Sequence, residues 1–243
     1  MKRTLTLFAI GWLLPTLAFA QDGVVESMFS GDSGGTGAPV RLIVAMTMMT
    51  LIPGLLLVMT PFTRFIIVFS LLRQALGLQQ SPPNQVLIGL SLVLTFLSMQ
   101  PTLTQVNENA LQPFMNGEQT TLEAYDNFID PMRDFMLHNT QRPDLRTSMR
   151  LGRMETRPQT LDDIPTPVVI TAFVLSELRT AFTIAVKVYL PFLVIDIVVA
   201  SVLLGMGMMM LPPVVISMPF KLIVFVLMDG WGLLVVGLVG GIS

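Results

Sequence analysis

"PFLVIDIVVASVLLGMGMMMLPPVVISMPFKLIVFVLMDGW", residues 191–231, decides the fold. It is a long apolar run broken once, near its middle. Gly205 and Gly207 loosen the backbone, Met208, Met209 and Met210 follow in a row, and Pro212 and Pro213 close the break. Glycine tolerates unusual dihedrals and proline cannot continue a helix ladder, so the run predicts two helices joined by a loop at 205–213. Irregular backbone at membrane depth is tolerated only inside protein or against a cavity. Methionine is unbranched, flexible and polarizable, and a ring of it can close to a dry constriction that re-forms around whatever passes. Apolar filler is the plain alternative, because the chain holds 18 methionines.

The totals agree with a membrane setting. Of 243 residues, 52% are hydrophobic and 12% charged, against about 25% charged in a soluble domain. Mean hydropathy is +0.71. A net charge of −2, with no basic tract, gives no footing for nucleic acid. With no cysteine there is no thiolate metal site or thiol nucleophile. The single histidine, His138, reads as a solvated loop residue. "GDSGGTG" lacks the Lys-Ser/Thr ending of a phosphate loop. No cofactor or metal is expected.

The N-terminus reads as a cleavable signal peptide over 1–20. Lys2 and Arg3 precede the apolar run from Leu5 to Leu14, and Ala18-Phe19-Ala20 supplies a cleavage site. Residues 21–40, rich in Gly, Ser and Asp, form a flexible leader. A first helical hairpin is expected over 41–100. Its first limb is read as one long helix, Leu42 to Gly77, kinked at Pro53 and Pro61. Ser81, Pro82, Pro83 and Asn84 make the turn, and a short second limb runs from Val86 to Met99. Residues 101–165 carry ten acidic residues and six arginines and form a polar helical segment in which Phe128, Met132 and Phe135 share a face. The signal peptide puts this segment outside the membrane, although its arginines oppose the positive-inside rule. A second hairpin with the Met-rich loop occupies 166–243.

That last block carries Glu177, Arg179, Lys187, Asp196, Lys221 and Asp229. Each charge at the bilayer centre costs at least about 2.5 kcal/mol. Glu177 and Arg179, two apart, point to different faces of a helix and need other partners. Glu177, Arg179, Lys221 and Asp229 are therefore read as polar contacts within or between subunits, with Glu177–Lys221 the expected pair. Asp196 in "VIDIV" and Asp229 in "LMDGW" lack the settings of intramembrane aspartyl proteases, so no enzymatic activity is expected.

Three runs, "PFTRFIIVFSLLRQALGLQQSPPNQVLIGL" (61–90), "ITAFVLSELRTAF" (170–182) and the opening stretch, closely resemble the FliP/SctR family of type III secretion export-gate subunits. Arg64, Ser81, Gln85 and the signal peptide resemble its flagellar FliP branch more than the injectisome branch. The resemblance implies an all-α membrane protein of two long kinked hairpins that assembles, as a pentamer with FliQ and FliR, into a cone-shaped gate. FlhA and FlhB would work beneath it, and exported polypeptides would pass through its centre. It also implies a bacterial inner-membrane location in the flagellar basal body, a periplasmic 101–165, and Met208, Met209 and Met210 as the closed seal. An injectisome gate subunit and a small-ion channel or transporter are the competing expectations. The latter would show paired broken helices in inverted repeats, and no internal repeat is evident.

Overall fold

The computed structural model describes residues 46–47, 49–51, 54–55, 57–154, 158, 160–161, 163–208 and 210–242. The expected signal peptide and leader lie outside the described residues. The chain divides into two compact units, Met1–Leu55 and Leu56–Ser243. In the first unit the described positions are helical. The second unit holds both expected hairpin turns and the polar segment between them.

Among the described residues every regular element is helical. Helix α1 (Phe62–Ala75) begins where Pro61, unable to donate, takes the capping position. The kinked helix expected across 42–77 is thus interrupted by a turn at residues 59–61, where Thr60 Oγ1 donates to the carbonyl of Leu57 at 2.9 Å. Phe65, Val68, Phe69 and Leu72 repeat at helical spacing and make the buried stripe of α1. Arg64 lies on that stripe and is buried with it.

Helix α2 (Asn84–Ser98) folds back on α1, adding Leu87 and Leu94 to the same core. Arg73 fastens the turn between them: its Nη1 donates to the carbonyl of Pro82 at 3.1 Å and to Asn84 Oδ1 at 2.7 Å. The chain then bends by 67° into α3 (Gln100–Val106), whose first turn accommodates Pro101, a π-helical turn at Asn107–Leu111, and α4 (Gln112–Met115). Helix α5 (Thr121–His138) and α6 (Arg142–Leu151) complete the polar segment. Met132 and Phe135 are buried in a second core with Phe128 against it, the face that helical spacing anticipates.

Helix α7 (Thr166–Gly205) has 40 residues. At 1.5 Å per residue it is about 60 Å long, roughly twice the hydrocarbon thickness of a bilayer. It is the one described helix long and apolar enough by itself to cross a membrane. Its buried N-terminal face carries small residues: Ser176 Oγ accepts from Gln141 N–H in the α5–α6 turn, and Ala181 packs in the core with Phe65 and Phe69 of α1, where a small side chain permits close approach. Helices α8 (Pro213–Leu227) and α9 (Gly230–Val239) follow, bent by 64° at Met228–Asp229. The bend is built for close packing. A Cβ on Gly230 would stand 2.2 Å from the Phe225 ring, and one on Gly232 2.4 Å from Asp229 Oδ2. Trp231, between them, meets Phe225 edge-on at 5.5 Å and Phe69 at 6.2 Å.

The polar segment offers a direct test of its local design. Thr120 caps α5 in a reciprocal box: Thr120 Oγ1 accepts from Glu123 N–H, and the Glu123 carboxylate accepts from Thr120 N–H at 2.8 Å. That backbone bond first, and the Thr120 hydroxyl second, hold the Glu123 carboxyl below its ordinary value. The charged form is favoured in the folded state. Its contribution is therefore complete above the ordinary carboxylate range and is lost as pH falls through the lowered value. Amide protection over the first turn of α5 should fall on acidification, and Glu123→Gln should flatten that limb; an unchanged acid limb in Glu123→Gln would remove the box from the account. Thr120→Ala should cost about 0.5–2 kcal/mol.

Candidate functional site

The chain reverses between α7 and α8. Phe192 meets Phe225 at 6.2 Å, while Asp196 meets Ser217 and Lys221, so the two helices run antiparallel with residues 206–212 at the tip. The end of α7 is a glycine cap: Gly207 takes φ +76°, its N–H donates to the carbonyl of Leu204, and the N–H of Met208 donates to Leu203. Gly205, read with Gly207 as part of the helix break, is the last helical residue of α7. The irregular conformation falls on Gly207 alone, because only the residue after the cap must enter the left-handed region. Pro212 is extended and Pro213 opens α8.

The loop side chains are little engaged. Met210 is 96% exposed and Met208 37%; Met209 lies outside the described residues. Among the described residues, a Cβ on Gly205 or Gly207 would meet nothing within 4 Å. Directly below the loop, α7 and α8 form a wholly apolar pocket of about 470 Å³, lined by residues including Val198, Val202, Met206, Ile216 and Phe220. The exposed thioethers therefore stand on an apolar, unfilled end of the hairpin.

Inside one copy the buried charges find other partners than the expected pair. Glu177 is bound by Arg64, whose Nε donates to Oε2 at 2.8 Å while Nη2 donates to Oε1; Nη1 donates to the carbonyl of Gly241 at 3.1 Å. Lys221 donates to Asp196 Oδ2 at 2.6 Å and to the carbonyl of Ala75 at 2.9 Å. Inside one copy the pairs are Arg64–Glu177 and Asp196–Lys221, so the contact expected between Glu177 and Lys221 within or between subunits is not made within the chain. The planar guanidinium fork suits a bidentate carboxylate on a facing helix, whereas Lys221 reaches two oxygens from different helices with one ammonium. Arg179, half-exposed, donates to buried Asp144 Oδ1 at 2.6 Å and ties α6 to α7. Asp229 occupies the α8–α9 bend at φ +49°.

Arg64 and Asp196 hold the two buried charges, and neither has a structural role that its local sequence announces. A usable signal was present. Arg64, Glu177, Asp196 and Lys221 each stand in an apolar run, and their charges sum to zero. Ser81, Pro82, Pro83 and Asn84 lie together in the α1–α2 turn, tied to Arg73.

The Arg64–Glu177 pair is open to test by exchange. Glu177→Gln leaves a buried guanidinium without its counter-charge and should destabilise the fold by about 3–5 kcal/mol. Arg64→Glu combined with Glu177→Arg should recover part of the loss, read as thermal stability in detergent. A double variant no better than either single one would separate the two residues.

Known proteins resemble the chain along most of its length. A family model described as "FliP family" matches residues 45–238. Three similar proteins are each named flagellar biosynthetic protein FliP. The one from Bacillus subtilis is 48% identical over 206 residues, covering 85% of this chain and 93% of that protein. The one from Aquifex aeolicus is 45% identical over 240 residues, covering 98% of each. The one from Pectobacterium carotovorum is 46% identical over 228 residues, covering 93% of this chain and 88% of that protein.

Proposed function

Because this chain belongs to the FliP family, we propose that it is a flagellar export-gate subunit whose methionine loop closes a protein-conducting channel. It acts in flagellar biosynthesis as a structural component of the export apparatus and not as an enzyme. Five copies, joined by FliQ and FliR, build a cone-shaped gate in the bacterial inner membrane, above FlhA and FlhB. Unfolded flagellar components pass through its centre. The segment 101–165 lies on the periplasmic side, and contacts between copies engage Arg179 and Asp229. The flagellar reading is favoured over an injectisome gate because relatives matching 85%, 98% and 93% of the chain are each named as flagellar.

One observation carries the seal: among the described residues, the stretch of the second hairpin that is both irregular and rich in exposed thioethers is its tip, with Met210 96% exposed. A side chain so exposed on an apolar pedestal needs an environment, and the same loops of neighbouring copies supply one. Thioether side chains repack without a fixed geometry, which suits a closure that must yield to any polypeptide and re-form behind it. Around a narrow axis such a ring excludes water and therefore ions.

Met208, Met209 and Met210 replaced together by alanine should leave assembly intact and raise the ion conductance of the assembled gate by at least about tenfold, since a shorter side chain cannot keep the constriction dry. Conductance at the wild-type level in a correctly assembled gate would place the seal elsewhere.

A further inference from the structure

On the reading of the α7–α8 loop as the seal, we infer that the thioethers of Met206, Met208 and Met210 form an oxidative modification site. A hydroperoxide converts the dry tip of the second hairpin into a wetted, ion-conducting one, and reduction of the sulfoxides restores it.

Sulfur chemistry in this chain belongs to methionine alone, because the sequence has no cysteine to react first. Exposure then decides which thioethers an oxidant meets. Met99 and Met136 are 1% and 0% exposed in the second core, and Met59 and Met132 are buried with them. Met210, at 96%, is the most exposed methionine among the described residues. Met206 and Met208 are exposed on either side of Gly207, so three accessible thioethers fall within five positions. Exposed methionines elsewhere belong to other elements: Met46 and Met49 to the first unit, Met115 to the end of α4, Met228 to the α8–α9 bend. A closure across a channel has water on both sides, so the sulfurs at its rim are open to an oxidant as small as hydrogen peroxide.

The reaction is a two-electron oxygen transfer. A sulfur lone pair attacks one peroxide oxygen, and the S–O bond forms as the O–O bond breaks. The departing hydroxide takes the proton left on the transferred oxygen. Sulfoxide and water result, with sulfur oxidised and the peroxide reduced.

The surroundings make that one oxygen consequential. A sulfoxide is polar where the thioether was apolar. Residues 205–213 contain no polar side chain to donate to it. Pro212 and Pro213 have no N–H, and the N–H groups of Met206, Gly207 and Met208 already donate to carbonyls of α7. Met206 also lines the wholly apolar pocket between α7 and α8. An unpartnered acceptor is costly to keep dry, so the added oxygen draws water to the tip. A hydrophobic constriction excludes ions only while it stays dewetted.

The experiment treats the assembled gate with hydrogen peroxide, maps sulfoxide by peptide mass spectrometry and reads ion conductance before and after. Sulfoxide at Met206, Met208 and Met210 should form at least about tenfold faster than at Met99 and Met136, given the difference in access. Conductance should rise at least about fivefold over the same gate untreated, and methionine sulfoxide reductases A and B with dithiothreitol should bring it back, since together they reduce both sulfoxide epimers. Replacing Met206, Met208, Met209 and Met210 by leucine leaves an apolar loop without sulfur; Met209, outside the described residues, is included so that no loop thioether remains. In that gate the ratio of treated to untreated conductance should be about one, whereas Met115→Leu should leave the rise in place. If the leucine loop does not assemble, Met210→Leu alone replaces it and should reduce the rise by about twofold.

Protection of Met210 as complete as that of Met136 in the assembled gate overturns the inference. So does a loop oxidised without change in conductance while the alanine loop leaks, or a full rise that persists in the leucine variant. If the alanine loop itself does not leak, the seal reading fails, and the sulfoxide map still decides whether the loop is the modification site.

Discussion

The packing of the unit from Leu56 to Ser243 depends on a buried ion pair, Arg64 with Glu177. Each side chain would be costly in apolar surroundings alone, and each is almost fully buried. Removing one leaves the other charge uncompensated, so the pair fixes which face of α1 meets which face of α7. Ala181 of α7 packs beside the pair, and the Phe65–Leu72 stripe of α1 fills the space around it. The remaining guanidinium donor reaches Gly241 beyond the end of α9, so one side chain brings the first helix of the unit to its last. A hydrophobic seam would hold such helices together but would tolerate sliding; a bidentate fork does not.

The second cluster, Asp196, Ser217 and Lys221 on Ala75, repeats this logic toward the opposite end of α1. Together the two clusters make α1 a strut along the second hairpin. What they leave unheld is the tip. Mechanically, the protein is a charge-pinned scaffold that presents a short methionine segment, and the proposed channel function uses that contrast. Rigidity places the segment, and thioether adaptability lets it close around different chains.

Much of this was legible in the sequence because it is local. The Gly–Met–Pro succession marks the loop, proline marks the starts of α1, α3 and α8, and the spacing of Phe128, Met132 and Phe135 marks the buried face of α5. What escaped reading depends on residues distant in the chain. Arg64 and Glu177 are 113 positions apart, and Lys221 chooses between acidic partners only when the helices are packed. The bend at Asp229 is invisible as a pattern, because it arises from the Phe225 ring and the Asp229 carboxylate occupying the space that Gly230 and Gly232 leave. The choice of Gly207 over Gly205 as the left-handed residue likewise depends on where α7 ends. That end is set by capping bonds to Leu203 and Leu204.

The contrast between a pinned scaffold and a free tip is measured most directly by hydrogen exchange on the assembled gate. Amides of residues 207–211 should exchange at least about a hundredfold faster than those of 66–75 and 217–225, because local opening of the tip breaks no buried ion pair whereas opening of α1 or α8 does. Equal protection of the tip and the scaffold, or faster exchange along α8 than in the loop, would contradict it.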